Sequence, residues 1–380
     1  MPPRLAPTRE GSTDLLVPEE SLRAKAPKTF PAFFNPAARV NRDVSVAIAA
    51  VTNPGSFLDA LAGVGARGVR VANEASKTVE VTMVEFNRES AAVAERNVAR
   101  NKVGSRCEVV HEESNAYLHS RFGRLERFDA VDVDPFGTPA PYVQGALTAA
   151  ADGGVVSLTA TDTATLCGVY PKVAARRYGA AVFKSEFPHE AGIRVLLGFC
   201  ARVGGVIDAA IEPVAAHSTL HYLRVYFRVQ RGAARSDRCL GSLGYVVPCS
   251  ACHQNSTEET PSGRCPKCGA RTRPLGPLWV GGLVDEEVVG KAARVSAERG
   301  WREAARVLEG LAGSDRFPPY GYSVEGITSR EGISSVRLAK VAERLAQVGR
   351  ESMRQPFESS GLKTTADYAE VLAAVKESAR

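Results

Sequence analysis

A chain of 380 residues with net charge +6 is too long for one average domain, and its mild basicity permits a polyanionic partner without requiring one. Its 44% hydrophobic and 24% charged residues are those of an ordinary globular protein, and no apolar run approaches the ~20 residues of a membrane span, so no membrane partner is expected. The polar, Pro-rich stretch Met1–Ala26 has no apolar h-region, which argues against a signal peptide and for a cytoplasmic protein.

Residues 1–29 read as a mobile basic arm. Phe33-Phe34-Asn35-Pro36, with Arg39 and Arg42 behind it, could close over a flat or anionic ligand. Taken alone, the stretch is more commonly a hydrophobic staple feeding a helix that Asp43 caps and that runs over Val44–Val51. A short strand from Phe57 then meets Gly63-Val64-Gly65-Ala66-Arg67-Gly68, a Gly-x-Gly-x-x-Gly leading into a helix. Such glycines let backbone approach a nucleotide-like ligand, and alone they fit a nicotinamide dinucleotide as well as S-adenosylmethionine. The strand Val79–Val84 ends on Glu85, where an acid takes two ribose hydroxyls. A polar-faced helix over Asn87–Asn101 follows, then a strand Cys107–His111 ending at Glu113-Ser114-Asn115, groups able to hold an adenine amine. Phe128–Val133 and Val155–Asp162 supply a fourth and fifth strand. Strand–helix repeats of this length imply a parallel, right-handed, doubly wound α/β sheet.

The fourth strand leaves the sheet through Asp132-Val133-Asp134-Pro135-Phe136-Gly137. Pro135 fixes φ and removes an N–H, so the turn offers a carboxylate, a free carbonyl and an aromatic face at a carboxyl-end sheet edge. Asp134 has no basic neighbour in sequence. An acid-Pro-aromatic turn of this kind resembles the motif of methyltransferases that modify an exocyclic nucleobase amine. The competing reading is a helix-capping Asp followed by Pro at the first helical position.

Beyond it, Glu190–Ala210 reads as a helix and Leu220–Val229 as a half-buried strand. The composition shifts near Arg231, which places a Rossmann-like domain over 30–232 and a smaller α+β domain over 233–380. Cys249-x2-Cys252-x12-Cys265-x2-Cys268 has the spacing of a closed, four-thiolate structural zinc site, with His253 surplus. Glu286–Leu311 and Gly332–Gln347 read as helices, the latter in the manner of a winged helix. Arg350, Arg354 and Lys363 are sensible RNA phosphate contacts, although solvated surface charge is the commoner explanation for any one of them.

Jointly, Phe33-Phe-Asn-Pro36 with Asn41-Arg-Asp43, Asp59-Ala-Leu-Ala-Gly-Val-Gly-Ala-Arg67, Asp132 to Gly137, Thr159-Ala-Thr-Asp162, Pro188 to Arg194 and the four cysteines resemble tRNA (guanine-26-N2)-dimethyltransferases of the archaeal and eukaryotic type. The resemblance runs over nearly the whole chain. It implies S-adenosyl-L-methionine as methyl donor, tRNA as partner, and a C-terminal domain that grips it. By the same resemblance Arg42 and Arg67 approach the methionine carboxylate, Glu113 and Ser114 the adenine, and Asp59, Gly63, Glu85 and Asp132 complete the cofactor contacts. Asp134, Pro135 and Phe136 are then catalytic, Phe33 or Phe34 stacks on the base, and Arg354 and Lys363 contact tRNA. No protein partner is implied, and a monomer is expected. Glu85 stands where the family usually has Asp, and Glu113-Ser114-Asn115 where it often reads Asp-Ala-Asn; both changes keep an acceptor. The expected product is N2-methyl- and then N2,N2-dimethylguanosine. The alternatives are a monomethyl product or another tRNA guanosine. A nicotinamide-dependent oxidoreductase leaves Asp134-Pro135-Phe136-Gly137 unexplained, and a non-catalytic zinc-containing RNA-binding protein leaves the cofactor loop without purpose.

Overall fold

The computed structural model describes residues 3–24, 32–121 and 126–379, which form two compact units. The first takes residues 1–161, 224–232 and 285–309; the second takes 162–223, 233–284 and 310–380. The cut expected after residue 232 is therefore one of several crossings.

The first unit opens on a hairpin, β1 Leu5–Glu10 and β2 Thr13–Pro18, turned at Gly11 with φ +56°. Thr13, Leu15 and Val17 alternate inward and are fully buried. The described part of the stretch read as a mobile arm is thus a half-buried ribbon, marked by the two-residue alternation of a strand; residues 1–2 and 25–29 lie outside the described residues. Helix α1, Arg39–Thr52, begins four residues before the expected cap. Asn35 caps the preceding turn by accepting from Ala37 N, while Asp43 is buried and ion-paired to Arg70 at 2.6 Å.

β3 Ser56–Asp59, α2 Ala66–Arg70, β4 Glu80–Val84, α3 Arg88–Arg100, β5 Cys107–Val110, α4 Ser114–His119, β6 Phe128–Val133, α5 Val143–Ala149 and β7 Ala150–Ala160 follow in chain order. The strands are hydrogen-bonded in the order β5–β4–β3–β6–β7, all parallel, and the order continues to the strand Tyr222–Arg231. Because the winding reverses between β3 and β6, the crevice outside their carboxyl ends is the topological switch point where α/β sheets bind ligands. Asp59 and Asp132 face each other in register there. The long helix expected over Glu286–Leu311 is two, Glu286–Glu298 and Arg302–Glu309, broken at Gly300 with φ +73°. Both pack on α1.

In the second unit the helix Pro188–Gly205 packs on the strands Ala209–Thr219 and Leu275–Trp279. Leu275–Trp279 belongs to a three-stranded sheet with Leu243–Pro248 and Asn255–Glu258. A second three-stranded sheet, Tyr322–Ser323, Gly361–Thr364 and Ser352–Arg354, shares one core with three helices through Tyr322, Ile327, Val341, Leu362 and Val371. Of these helices, the one expected from Gly332 starts at Leu338, because Gly332 at φ +66° terminates Val324–Glu331. Among the described residues no helix is long and apolar enough to cross a membrane.

Candidate active site

The glycine loop between β3 and α2 is held by Glu85, whose carboxylate accepts from Gly63 N at 2.7 Å and from Asn87 N at 2.7 Å. Gly63 has φ +54°, and a Cβ there would press within 3.4 Å of the Phe33 carbonyl. Burial raises the Glu85 pKa against the pull of these two backbone donors. At the start of α4, Glu113 caps the helix by accepting from Ala116 N at 2.8 Å, and buried Ser114 donates to the Ala60 carbonyl at 2.6 Å. Asn115 beside them has a buried Oδ1 with no hydrogen-bond partner among the described residues.

Three carboxylates and two guanidiniums meet at the switch point. Arg67 Nε lies 3.1 Å from Asp132, its terminal nitrogen donates to Asp134, and it donates to Asn41 and Ser45 from α1 at 2.8 and 2.5 Å. Arg224, fully buried on the strand Tyr222–Arg231, donates to the other Asp132 oxygen, to Thr159, to Tyr226 at 2.7 Å and to Ser45 at 3.0 Å. Burial opposes the Arg224 charge, but Asp132 outweighs it and raises the pKa. Asp59 accepts from Gly68 N at 3.1 Å. Its own burial, and then the Asp132 charge, push its pKa up to about 7 despite Arg67. When Asp59 is protonated, the charges of Asp132 and Asp134 balance those of Arg67 and Arg224.

Asp134 sits just past β6, about a quarter exposed, and Pro135 after it is buried. Phe136 is 64% exposed and meets Phe33 edge to face, with ring centroids 4.6 Å apart. The site therefore offers a carboxylate held by a buried cation, open on one side, beside an accessible aromatic ring.

Several expected residues lie elsewhere. Arg42 is buried and bidentate to Glu10 of the hairpin at 2.7 and 2.6 Å, and its guanidinium stacks on Phe34, so it is not open to a ligand carboxylate. Phe34 is 3% exposed in a core with Leu15, Val17 and Val64, which leaves Phe33 as the aromatic next to Phe136. Arg67 is likewise committed to protein side chains. In the second unit Lys363 is 1% exposed and donates to both oxygens of Glu190 at 2.7 and 2.9 Å and to the Pro318 carbonyl at 2.8 Å. It fastens a fold rather than a phosphate; Arg354 is exposed. Sequence reasoning missed Arg224, Glu10 and Glu190, because their partners are distant in the chain.

In the second unit the four cysteine sulfurs all lie within 4.8 Å of one another, with Cys249 to Cys268 and Cys252 to Cys265 each at 3.6 Å. A tetrahedral zinc with ~2.3 Å bonds places its sulfurs about 3.8 Å apart, so the set fits that ion. His253 packs its ring on Tyr368, with centroids 5.1 Å apart, and is not among the grouped ligands.

A family model of N2,N2-dimethylguanosine tRNA methyltransferases matches residues 11–376. The chain is 37% identical over 371 residues to the tRNA (guanine(26)-N(2))-dimethyltransferase of Methanopyrus kandleri, covering 97% of this chain and 96% of the relative. It is 35% identical over 399 residues to that of Aeropyrum pernix, covering 98% and 97%. Among solved structures it is similar to Trm1 from Pyrococcus horikoshii in complex with S-adenosyl-L-methionine, with a TM-score of 0.85, 28% identity, and 97% and 99% of the two chains covered.

Proposed function

The chain belongs to the N2,N2-dimethylguanosine tRNA methyltransferase family, and on that premise we propose that it methylates the exocyclic N2 of guanosine 26 in tRNA twice, with S-adenosyl-L-methionine as donor. The observation that carries the reading is Asp134: a half-open carboxylate at the switch point, fixed by Arg67 and flanked by the exposed ring of Phe136.

The residues present fit the donor. Gly63 gives a backbone cradle that a side chain would fill, and each Glu85 oxygen keeps a second lone pair for a ribose hydroxyl. The orphaned Asn115 Oδ1 suits an adenine amine. When bound, S-adenosyl-L-methionine supplies a methyl group on a sulfonium.

The exocyclic amine of guanine is a poor nucleophile because its lone pair is delocalised into the ring. Asp134 accepts an N2–H, which localises that lone pair, and stabilises positive charge as it develops on nitrogen. It then takes the proton or passes it to water. Arg67 and Asp132 hold the carboxylate in place, so much of the rate comes from positioning. A guanine must leave the helical stack to reach the turn, and Phe136, braced by Phe33, offers it a face on which to stack. The four thiolates would hold zinc in a closed, structural site in the second unit.

Purified protein with labelled S-adenosyl-L-methionine and an unmodified tRNA transcript tests the reading by nucleoside mass spectrometry. N2,N2-dimethylguanosine that disappears when guanosine 26 is replaced by adenosine is the expected result. Product that persists moves the site, and a product that stops at N2-methylguanosine removes the second transfer.

A further inference from the structure

The first unit carries a second polar depression, of about 460 Å³, whose lining includes Arg9, Arg39, Arg299, Trp301, Asn73 and Glu74. It is assembled from the hairpin, the start of α1, the segment after α2 and the break between the helices Glu286–Glu298 and Arg302–Glu309. None of these residues serves the chemistry described above.

Its charges do not cancel. Glu74 is already spoken for: Arg70 donates to it at 3.0 and 3.2 Å and Thr13 at 2.5 Å. Arg9 and Arg39 are 66% and 51% exposed and reach Asp14 and Asp43 only at 3.9 and 3.6 Å, while Asp43 has Arg70 at 2.6 Å. Arg299 donates to the Glu74 backbone carbonyl at 2.8 Å and lies over the Trp301 ring at 5.0 Å, a stacking that fixes its direction without neutralising it. Three guanidiniums of one sign thus converge on a hollow, where planar forks suit phosphate oxygens. The first turns of α1 link it to the active site. Asn41 and Ser45 accept hydrogen bonds from Arg67, whereas Arg39, at the start of the same helix, lines the hollow.

We propose that this hollow binds the phosphodiester backbone of the tRNA whose guanosine occupies the active site, and so sets where the RNA lies on the catalytic unit. The proposal rests on the tRNA reading above. In it, Arg9, Arg39 and Arg299 are positioning residues that act on affinity through phosphate contacts, which carry register rather than sequence.

The test is filter binding of unmodified tRNA transcript to the full chain over a range of salt concentrations, comparing wild type with Arg9→Gln/Arg299→Gln and Arg9→Lys/Arg299→Lys. Binding of S-adenosyl-L-methionine and the melting temperature are followed alongside as folding controls. The glutamine pair should weaken tRNA binding about tenfold or more and lower the slope of log K against log salt by about two, one for each lost contact. The lysine pair should keep most of that slope, since charge rather than packing is at issue. Unchanged affinity and slope in a folded glutamine pair overturn the proposal. So does tight calorimetric binding of inorganic phosphate that only wild type shows, with tRNA affinity unmoved, which makes the hollow a small-anion site. If wild type methylates the transcript while the glutamine pair binds it equally well, the hollow alone is refuted. If wild type neither binds nor methylates it, the substrate reading falls and the hollow with it.

Discussion

Arg67 and Asp134, sixty-seven residues apart in sequence, are joined by a buried-to-open ion pair: the guanidinium is 5% exposed and the carboxylate 28%. The same guanidinium also holds Asp132, which Arg224 grips from the opposite side. The carboxylate assigned to the chemistry therefore stands at the rim of a network whose remaining members are inside the protein.

That network makes Arg224 a stability residue. Arg224→Met leaves Asp132 buried with one of its oxygens unpaired, and breaking a buried pair this way costs about 3–5 kcal/mol. Urea denaturation of the full chain should show a loss of that order in the transition involving the first unit. A loss under about 1 kcal/mol would mean that Asp132 is held by Arg67 alone.

Asp59 gives the network a pH signature. Its carboxyl, raised to about 7 in the folded chain, ionises near 3.9 when unfolded. Below pH 4 both states are protonated and nothing is lost. Between about pH 4 and 7 the unfolded chain releases its proton and the folded one keeps it, so this residue's contribution to stability falls as pH rises. Asp59→Asn should remove that fall, so its melting temperature against pH, set beside wild type, should gain on wild type across this window. Parallel profiles would show that Asp59 titrates normally.

In the second unit, Lys363 and Arg354 should separate cleanly. Burial opposes the Glu190 charge, but Lys363 and Arg194 overcome it and hold its pKa below the usual range. Lys363→Ala should therefore destabilise the unit by about 3–5 kcal/mol, while any folded fraction binds tRNA normally. Arg354→Ala should leave stability within about 0.5 kcal/mol and weaken tRNA binding. The reverse pattern would restore Lys363 as an RNA contact.

The four thiolates predict a metal-dependent fold. Chelation, or Cys249→Ser, should lower the melting temperature of the second unit before it alters methyl transfer by protein that stays folded. Unchanged stability in metal-free protein would remove zinc from the structure.

What the sequence displayed, and what it hid, follows from the range of each interaction. The parallel sheet, the glycine loop and the Asp134 turn are written in contiguous residues whose periodicity and turn chemistry act locally. The four cysteines were legible for the same reason, through their spacing. Arg42 looked like a ligand for a carboxylate and does bind one, but that of Glu10, which lies on a hairpin taken for a loose arm. Lys363 looked like a surface cation because nothing near it in sequence shows that Glu190 waits in the core. Phe33 and Phe34 are adjacent, yet only one meets Phe136, a distinction set by which face of the chain the hairpin covers. Charge pairing over long sequence distances decides the first two and apolar packing over similar distances the third, and no local pattern encodes either.

The most direct test is Asp134→Asn, read by two measurements on one preparation: calorimetric binding of S-adenosyl-L-methionine, and single-turnover methyl transfer to a tRNA transcript. Asparagine keeps the shape but is a weaker acceptor and does not take the proton. Binding should stay within a few-fold of wild type while transfer falls by about 10²–10⁴. Transfer at the wild-type rate would contradict the role given to Asp134.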